Sequence, residues 1–233
     1  MGNPTSRESA ARAQWGLVIT TVAYLFMALV CLRQGGTSHP WSRLDIFSGG
    51  LLGLLLVSAG VGLRLGRLLF GSSGALQQAS GMTYDRATLI IAPALAAGDA
   101  LVFLDYGHWH LAPALERVPL QTLGLALGAA AMVWIARTDA QLVHHFEDER
   151  SARTLMTTGA FRYVRHPRYA GILGVRTAYA LTFASPVGWG LAAVWLIVLL
   201  RRIGLEEAHL RTEFGDSYDR YAARRWRLIP GLY

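Results

Sequence analysis

Apolar runs long enough to cross a bilayer recur along this chain, and they restrict it to few folds. Trp15–Leu32, Ile46–Leu63, Ala87–Leu104 and Leu120–Ala136 each approach the roughly 20 residues that a helix needs to span the hydrocarbon core. A further run, Tyr169–Leu200, is too long for one span and is interrupted at Ser185-Pro186. Proline disfavours helix in the residue before it and cannot continue the hydrogen-bond ladder. That run therefore predicts two tightly connected helices, the first short or tilted. The expected fold is all-α: a polytopic membrane protein with about six crossings, four spans plus a terminal helical hairpin.

Composition and charge placement point the same way. Charged residues make up 16% of the 233, whereas a soluble domain carries about a quarter. All 22 basic residues are arginine, and the net charge is +7. Nucleic-acid binding would need a basic face on a soluble fold, but here the arginines lie between apolar runs. Eighteen of them fall in residues 1–14, 64–86, 137–168 and 201–233, against Arg33, Arg43 and Arg117 on the opposite side. Basic loops favour the cytoplasm, so both termini are expected there, with the protein in the cell (inner) membrane. No small-x-small cleavage site follows the first run, which is therefore expected to stay as a span. The lone Cys31 rules out an internal disulfide.

The chain divides into transmembrane helices, residues 1–149, and a more polar region, residues 150–233. In the second part, FRYVRHPRYAG precedes the hairpin and LRRIGLEEAHLRTEFGDSYDRY follows it. A hairpin that goes out and comes back brings the two together. Arg162, Arg165 and Arg168 are accounted for by a positive-inside anchor, with Tyr163 and Tyr169 at the interface and Pro167 at a helix start. His166 has no use in an anchor. Glu206 and Glu207 read either as a solvated charge run or as a carboxylate turned into a cytoplasmic pocket. Neighbours on a helix are about 100° apart, so one can face inward while the other pairs with arginine.

Metal and nucleophilic chemistry find little support. Glu206 and His209 have the Glu-x-x-His spacing of di-iron bundles, but the spans supply no second such pair. His144-His145 lacks a companion cluster, and His108 and His110 flank Trp109 on the outer side. There is no Gly-x-Ser-x-Gly elbow and no Gly-x-Gly-x-x-Gly after a strand pattern. Asp99 and Arg176 lie at membrane depth, where ionisable groups are costly and face the protein interior or a water-filled cavity.

The ordered set Thr158-Gly159-Ala160-Phe161-Arg162-Tyr163-Val164-Arg165-His166-Pro167-Arg168-Tyr169-Ala170-Gly171, Glu206-Glu207, Phe214-Gly215, Tyr218, Tyr221 and Ile229-Pro230 resembles the isoprenylcysteine carboxyl methyltransferase family. Phospholipid methyltransferases are relatives of that family. The likeness covers roughly residues 150–233 and implies an integral membrane enzyme that uses S-adenosylmethionine, with a cytoplasmic cofactor pocket. By the same resemblance, Tyr163, Arg165, His166, Pro167 and Tyr169 line or shape that pocket. The backbone from Met156 to Gly159 borders the adenosine, and Glu206 or Glu207 holds its ribose or amino group. The implied partners are the bilayer and a lipophilic or lipidated acceptor, with a carboxylate, amine or thiol to be methylated.

Two departures from the family's pattern stand out. Ala160 replaces a frequent proline, and the cation that relatives carry in the last span, near Ile197 here, is missing there. Arg176, one helix earlier, is the candidate to hold the acceptor, with an internal pair to Asp99 as the competing reading. Two alternatives remain: a sterol-type membrane reductase using NADPH, or a binding protein on the same scaffold that has lost turnover.

Overall fold

The computed structural model describes residues 104–147 and 154–233, with Gly98, Leu101 and Val102 in addition. The expected spans Trp15–Leu32 and Ile46–Leu63, most of Ala87–Leu104, and Asp99 lie outside the described residues. Within them, regular structure is helical throughout. A π-helical turn at Asp105–Trp109 and a 3₁₀ turn at Pro113–Leu115 lead into α1 (Val118–Glu147). After a 3₁₀ turn at Gly159–Arg162 come α2 (Pro167–Thr182), α3 (Pro186–Phe214) and α4 (Asp216–Ala222). The one β-bridge among the described residues pairs Val164 in parallel with Trp226.

Among the described residues, two helices are long and apolar enough to cross a membrane, Val118–Leu142 within α1 and Pro186–Phe214, which is α3. At 1.5 Å per residue they measure about 37 and 43 Å. The 16 residues of α2 reach about 24 Å, short of a hydrocarbon core of about 30 Å. The first arm of the expected hairpin is therefore the short one.

Ser185-Pro186 makes the hairpin turn, as the sequence indicates. Ala184 takes a left-handed φ of 50°. Ser185 caps α3, its hydroxyl accepting from Gly188 N at 3.2 Å, and Pro186 occupies the first turn. Asp105, buried beneath this turn, accepts from the Ser185 hydroxyl and from Leu111 N at 3.0 Å.

Small residues let the helices approach closely, as they do in lipid, where apolar burial gives no drive between helices. A Cβ on Gly124 would stand 2.5 Å from Thr182 N, and one on Gly171 would stand 2.4 Å from Ile135 Cγ1. At the other end of α1, polar groups grip the connection to α2. Trp134 Nε1 donates to Pro167 O at 2.8 Å, Arg168 Nε donates to Asp139 at 3.0 Å, and Gln141 Oε1 accepts from Ala160 N at 3.1 Å. Gly159, at φ +60°, lies so close to Gln141 that any side chain there would clash. These contacts fix where Arg165 and His166 stand.

Residues 223–233 fold back over this connection as an irregular strap. Arg165 N donates to Trp226 O at 2.8 Å, and His166 N donates to Arg227 O at 3.1 Å. Leu228 is buried against Tyr169, Leu199 and Ile203, which ties the strap to α2 and α3.

Candidate active site

The connection before α2, the far end of α3 and the strap converge on two adjacent carboxylates. Glu206 and Glu207 point in different directions from α3, as a step of about 100° requires. Glu207 is the deeper, with a side chain 0% exposed against 23% for Glu206. A buried carboxylate is tolerated only when its lone pairs are filled. Arg227 fills most of them, its Nη2 at 2.7 Å from Oε2 and its Nε at 3.1 Å from both oxygens. Arg165 Nη1 approaches Oε1 at 3.0 Å, and His166 Nε2 lies 3.3 Å from the same oxygen.

Glu206 belongs to a second group on the α2 side. It accepts from the Tyr169 hydroxyl, and Arg202 Nε stands 3.2 Å from it. Arg202 Nε also donates to the Tyr169 hydroxyl at 2.6 Å. His166 Nδ1 is 3.6 Å from Glu206 Oε2, a distance of ion pairing rather than hydrogen bonding. The His166 ring stacks on Tyr169, centroids 5.8 Å apart.

His166 thus has a carboxylate at each ring nitrogen. Burial opposes its charge, yet Glu206 and Glu207 outweigh burial and raise its pKa above the ordinary 6.5. A neutral ring would turn a lone pair toward one of the two anions. Imidazolium satisfies both, so the two carboxylates favour the charged form of His166. Nearby, burial pushes the Tyr218 phenol up to about 12. Tyr218 Oη and Arg165 Nε are both buried without a hydrogen-bond partner among the described residues.

The residues singled out from the sequence fall into two sets. Arg165, His166, Tyr169, Glu206 and Glu207 come together, and Pro167 starts α2 directly beneath them. Gly159 and Met156 lie on the approach, Met156 half-buried. Tyr163 points outward, 59% exposed, with no side-chain hydrogen bond among the described residues. Arg176 stands apart, its guanidinium 4.8 Å above the Trp195 ring. His209 pairs with Glu213 at 3.3 Å on the exposed face of α3.

Two important residues were not anticipated. Arg202 is the buried cation on α3, five positions beyond Ile197, which is itself 67% exposed. Its spacing of four from Glu206, one helical turn, was available as a signal. Arg227 carried no signal, since nothing in its neighbourhood shows that the strap folds back.

Comparison with known proteins adds the family. The phospholipid methyltransferase family model matches residues 118–217, from the start of α1 into α4. A protein-S-isoprenylcysteine O-methyltransferase of Dictyostelium discoideum is 29% identical over 136 residues, 54% of this chain and 56% of that protein. A protein of the same description from Schizosaccharomyces pombe is 35% identical over 111 residues, 46% of this chain and 45% of the relative. A Delta(14)-sterol reductase of Ascobolus immersus is 33% identical over 91 residues, 38% of this chain and 21% of the reductase. The chain spans about half the length of the methyltransferases it matches, or less. The matched stretch includes both membrane-length helices, the short arm between them and both carboxylates. Over residues 118–217 the chain is similar to the phospholipid methyltransferase family, and its similarity to isoprenylcysteine O-methyltransferases points the same way.

Proposed function

We propose that this protein is a membrane methyltransferase that uses S-adenosylmethionine to methylate an amphiphilic acceptor. The observation that carries the reading is the pair of carboxylates joined to His166 and Tyr169 across the hairpin. Glu206, part-exposed beside Tyr169, suits a ribose diol or an ammonium group. S-adenosylmethionine supplies an electrophilic methyl on a sulfonium. What remains for the protein is alignment and exclusion of water, and it needs neither metal nor covalent nucleophile.

The state of His166 narrows the acceptor. An amine is an ammonium ion at neutral pH and must lose a proton before it can attack. His166 turns Nε2 to Glu207 and Nδ1 toward Glu206, and a raised pKa favours its charged form, which makes it poorly suited to that task. An acceptor that is already an anion, such as a carboxylate, needs only a cation to orient it. Arg202, held between Tyr169 and Glu206, and Arg176, two helical turns beyond Tyr169, are the candidates. The two relatives described as O-methyltransferases, which methylate oxygen, favour the same choice.

Six crossings, a cytoplasmic pocket and an inner-membrane location complete the reading, supported by the distribution of arginines and by the short hairpin. Incubating the purified protein with methyl-labelled donor and paired amphiphiles, one ending in carboxylate and one in amine, tests the function. Label on the carboxylate amphiphile is expected. Label confined to the amine would overturn the acceptor assignment, and label on neither would overturn the enzyme.

A further inference from the structure

Arg227 makes two contacts that close a ring. Its carbonyl accepts the His166 backbone N–H at 3.1 Å, and its guanidinium holds Glu207, whose Oε1 faces His166 Nε2 at 3.3 Å. His166 is thus gripped at backbone and side chain by one residue of the strap, directly and through one carboxylate. The residues on either side strengthen the grip. Trp226 O accepts Arg165 N–H at 2.8 Å, and Leu228 is 1% exposed in the cluster with Tyr169. Arg227 Nη1 also donates to the Tyr233 hydroxyl, and its guanidinium carbon lies 5.3 Å from that ring. Tyr221 Oη, on α4 just ahead of the strap, donates to Phe161 O at 2.8 Å and ties that helix to the same turn.

This arrangement divides the labour between the carboxylates. Glu207 is 0% exposed and surrounded by Arg165, His166 and Arg227, with Arg211 at 3.9 Å. It has no oxygen left for a ligand. Glu206, 23% exposed, is the one a ligand can reach. We propose that Arg227 is a positioning residue, which acts through Glu207 to hold Arg165 and His166 in the arrangement that takes the cofactor at Glu206.

The inference rests on the cofactor reading above, and its test separates the two. S-adenosylhomocysteine affinity is measured by calorimetry on the full chain in detergent for the parent, Arg227→Met and Arg227→Lys. Amide hydrogen exchange at residues 165 and 166 is followed alongside. Arg227→Met is expected to weaken binding at least tenfold and to speed exchange at both amides, with α1 protection unchanged. Arg227→Lys keeps the charge but loses the two-pronged geometry, so binding three- to fivefold weaker than the parent is expected.

A purely structural role would lower the melting temperature while leaving affinity in the folded fraction as in the parent. Parent-like affinity in a folded Arg227→Met protein overturns the inference and leaves the cofactor reading standing. Should Arg227→Met fail to fold, parent-like affinity of Arg227→Lys overturns it equally. A parent that binds no S-adenosylhomocysteine overturns the cofactor reading, and this inference with it.

Discussion

His166 Nε2 lies 3.3 Å from Glu207 Oε1, although 41 residues and a whole membrane hairpin separate the two in sequence. Bringing them together takes the turn at Ser185-Pro186, the close α1–α2 packing at Gly171 and the strap that carries Arg227. The consequences of that contact can be measured separately.

Charge on His166 makes stability depend on pH with a definite sign. Its pKa is raised in the folded chain because the two carboxylates outweigh burial. A raised value means that protonation favours the fold. The contribution is complete below about 6.5 and is lost as pH rises through the elevated value. The melting temperature in detergent should therefore fall from pH 6.5 upward, with a shallower decline in His166→Gln. Nuclear magnetic resonance of labelled histidine should show His166 titrating above 6.5, and Glu207→Gln should bring it down.

The two glutamates should fail in different ways. Glu206→Gln should weaken S-adenosylhomocysteine binding at least tenfold, about 1.4 kcal/mol, with a smaller loss of stability than Glu207→Gln, since it leaves one buried cation, Arg202, without its counter-charge. Glu207→Gln leaves Arg165 and Arg227 without their buried counter-charge. Breaking such a pair costs about 3–5 kcal/mol, so its first symptom should be lost stability. Denaturant titration of both variants checks the contrast. Equal stability with equal binding would mean that neither carboxylate belongs to a site.

Arg176 separates an acceptor site from an internal ion pair. A guanidinium two turns beyond Tyr169 costs several kcal/mol in lipid unless it is paired or hydrated, and its contact with Trp195 offsets part of that. If it orients the acceptor, Arg176→Met should stay folded and bind S-adenosylhomocysteine normally while methyl transfer falls at least tenfold. If instead it pairs with Asp99, Arg176→Met should be destabilised and the double change with Asp99→Leu should restore it. Melting temperatures of the three variants decide, and a rescue would remove Arg176 from the active site.

Helix packing gives a control that does not involve the site. A Cβ on Gly171 would overlap Ile135 Cγ1 at 2.4 Å, whereas nothing lies within 4 Å of one on Gly190. Gly171→Ala should cost about 1–3 kcal/mol, as overpacking does, and Ile135→Ala, which removes Cγ1, should recover part of it. Gly190→Ala should be neutral or slightly stabilising. Unfolding in mixed detergent measures all three.

Much of this architecture could be read from the sequence because its signals are local. Ser185-Pro186 inside an apolar run marks the hairpin, and Pro167 marks the start of α2. The charged segments on either side of the hairpin had to meet, which placed His166, Tyr169, Glu206 and Glu207 together. The pairing of Glu207 with Arg227 was hidden because the strap has neither periodicity nor apolar run. Its course depends on two backbone hydrogen bonds and on Leu228 finding a pocket between α2 and α3. Arg202 was overlooked for another reason. It looks like half of an interfacial Arg-Arg anchor, yet it is buried while Arg201 is exposed.

The site proposed for S-adenosylmethionine consists of the two carboxylates and His166. Calorimetry of the purified full chain with S-adenosylhomocysteine, S-adenosylmethionine and NADPH, repeated on Glu206→Gln, tests it most directly. Saturable binding of the two adenosyl compounds, weakened at least tenfold in the variant and absent for NADPH, is the predicted result. Binding of NADPH without either adenosyl compound would contradict it and place the protein with the reductases, while parent-like binding in Glu206→Gln would move the cofactor away from this pair.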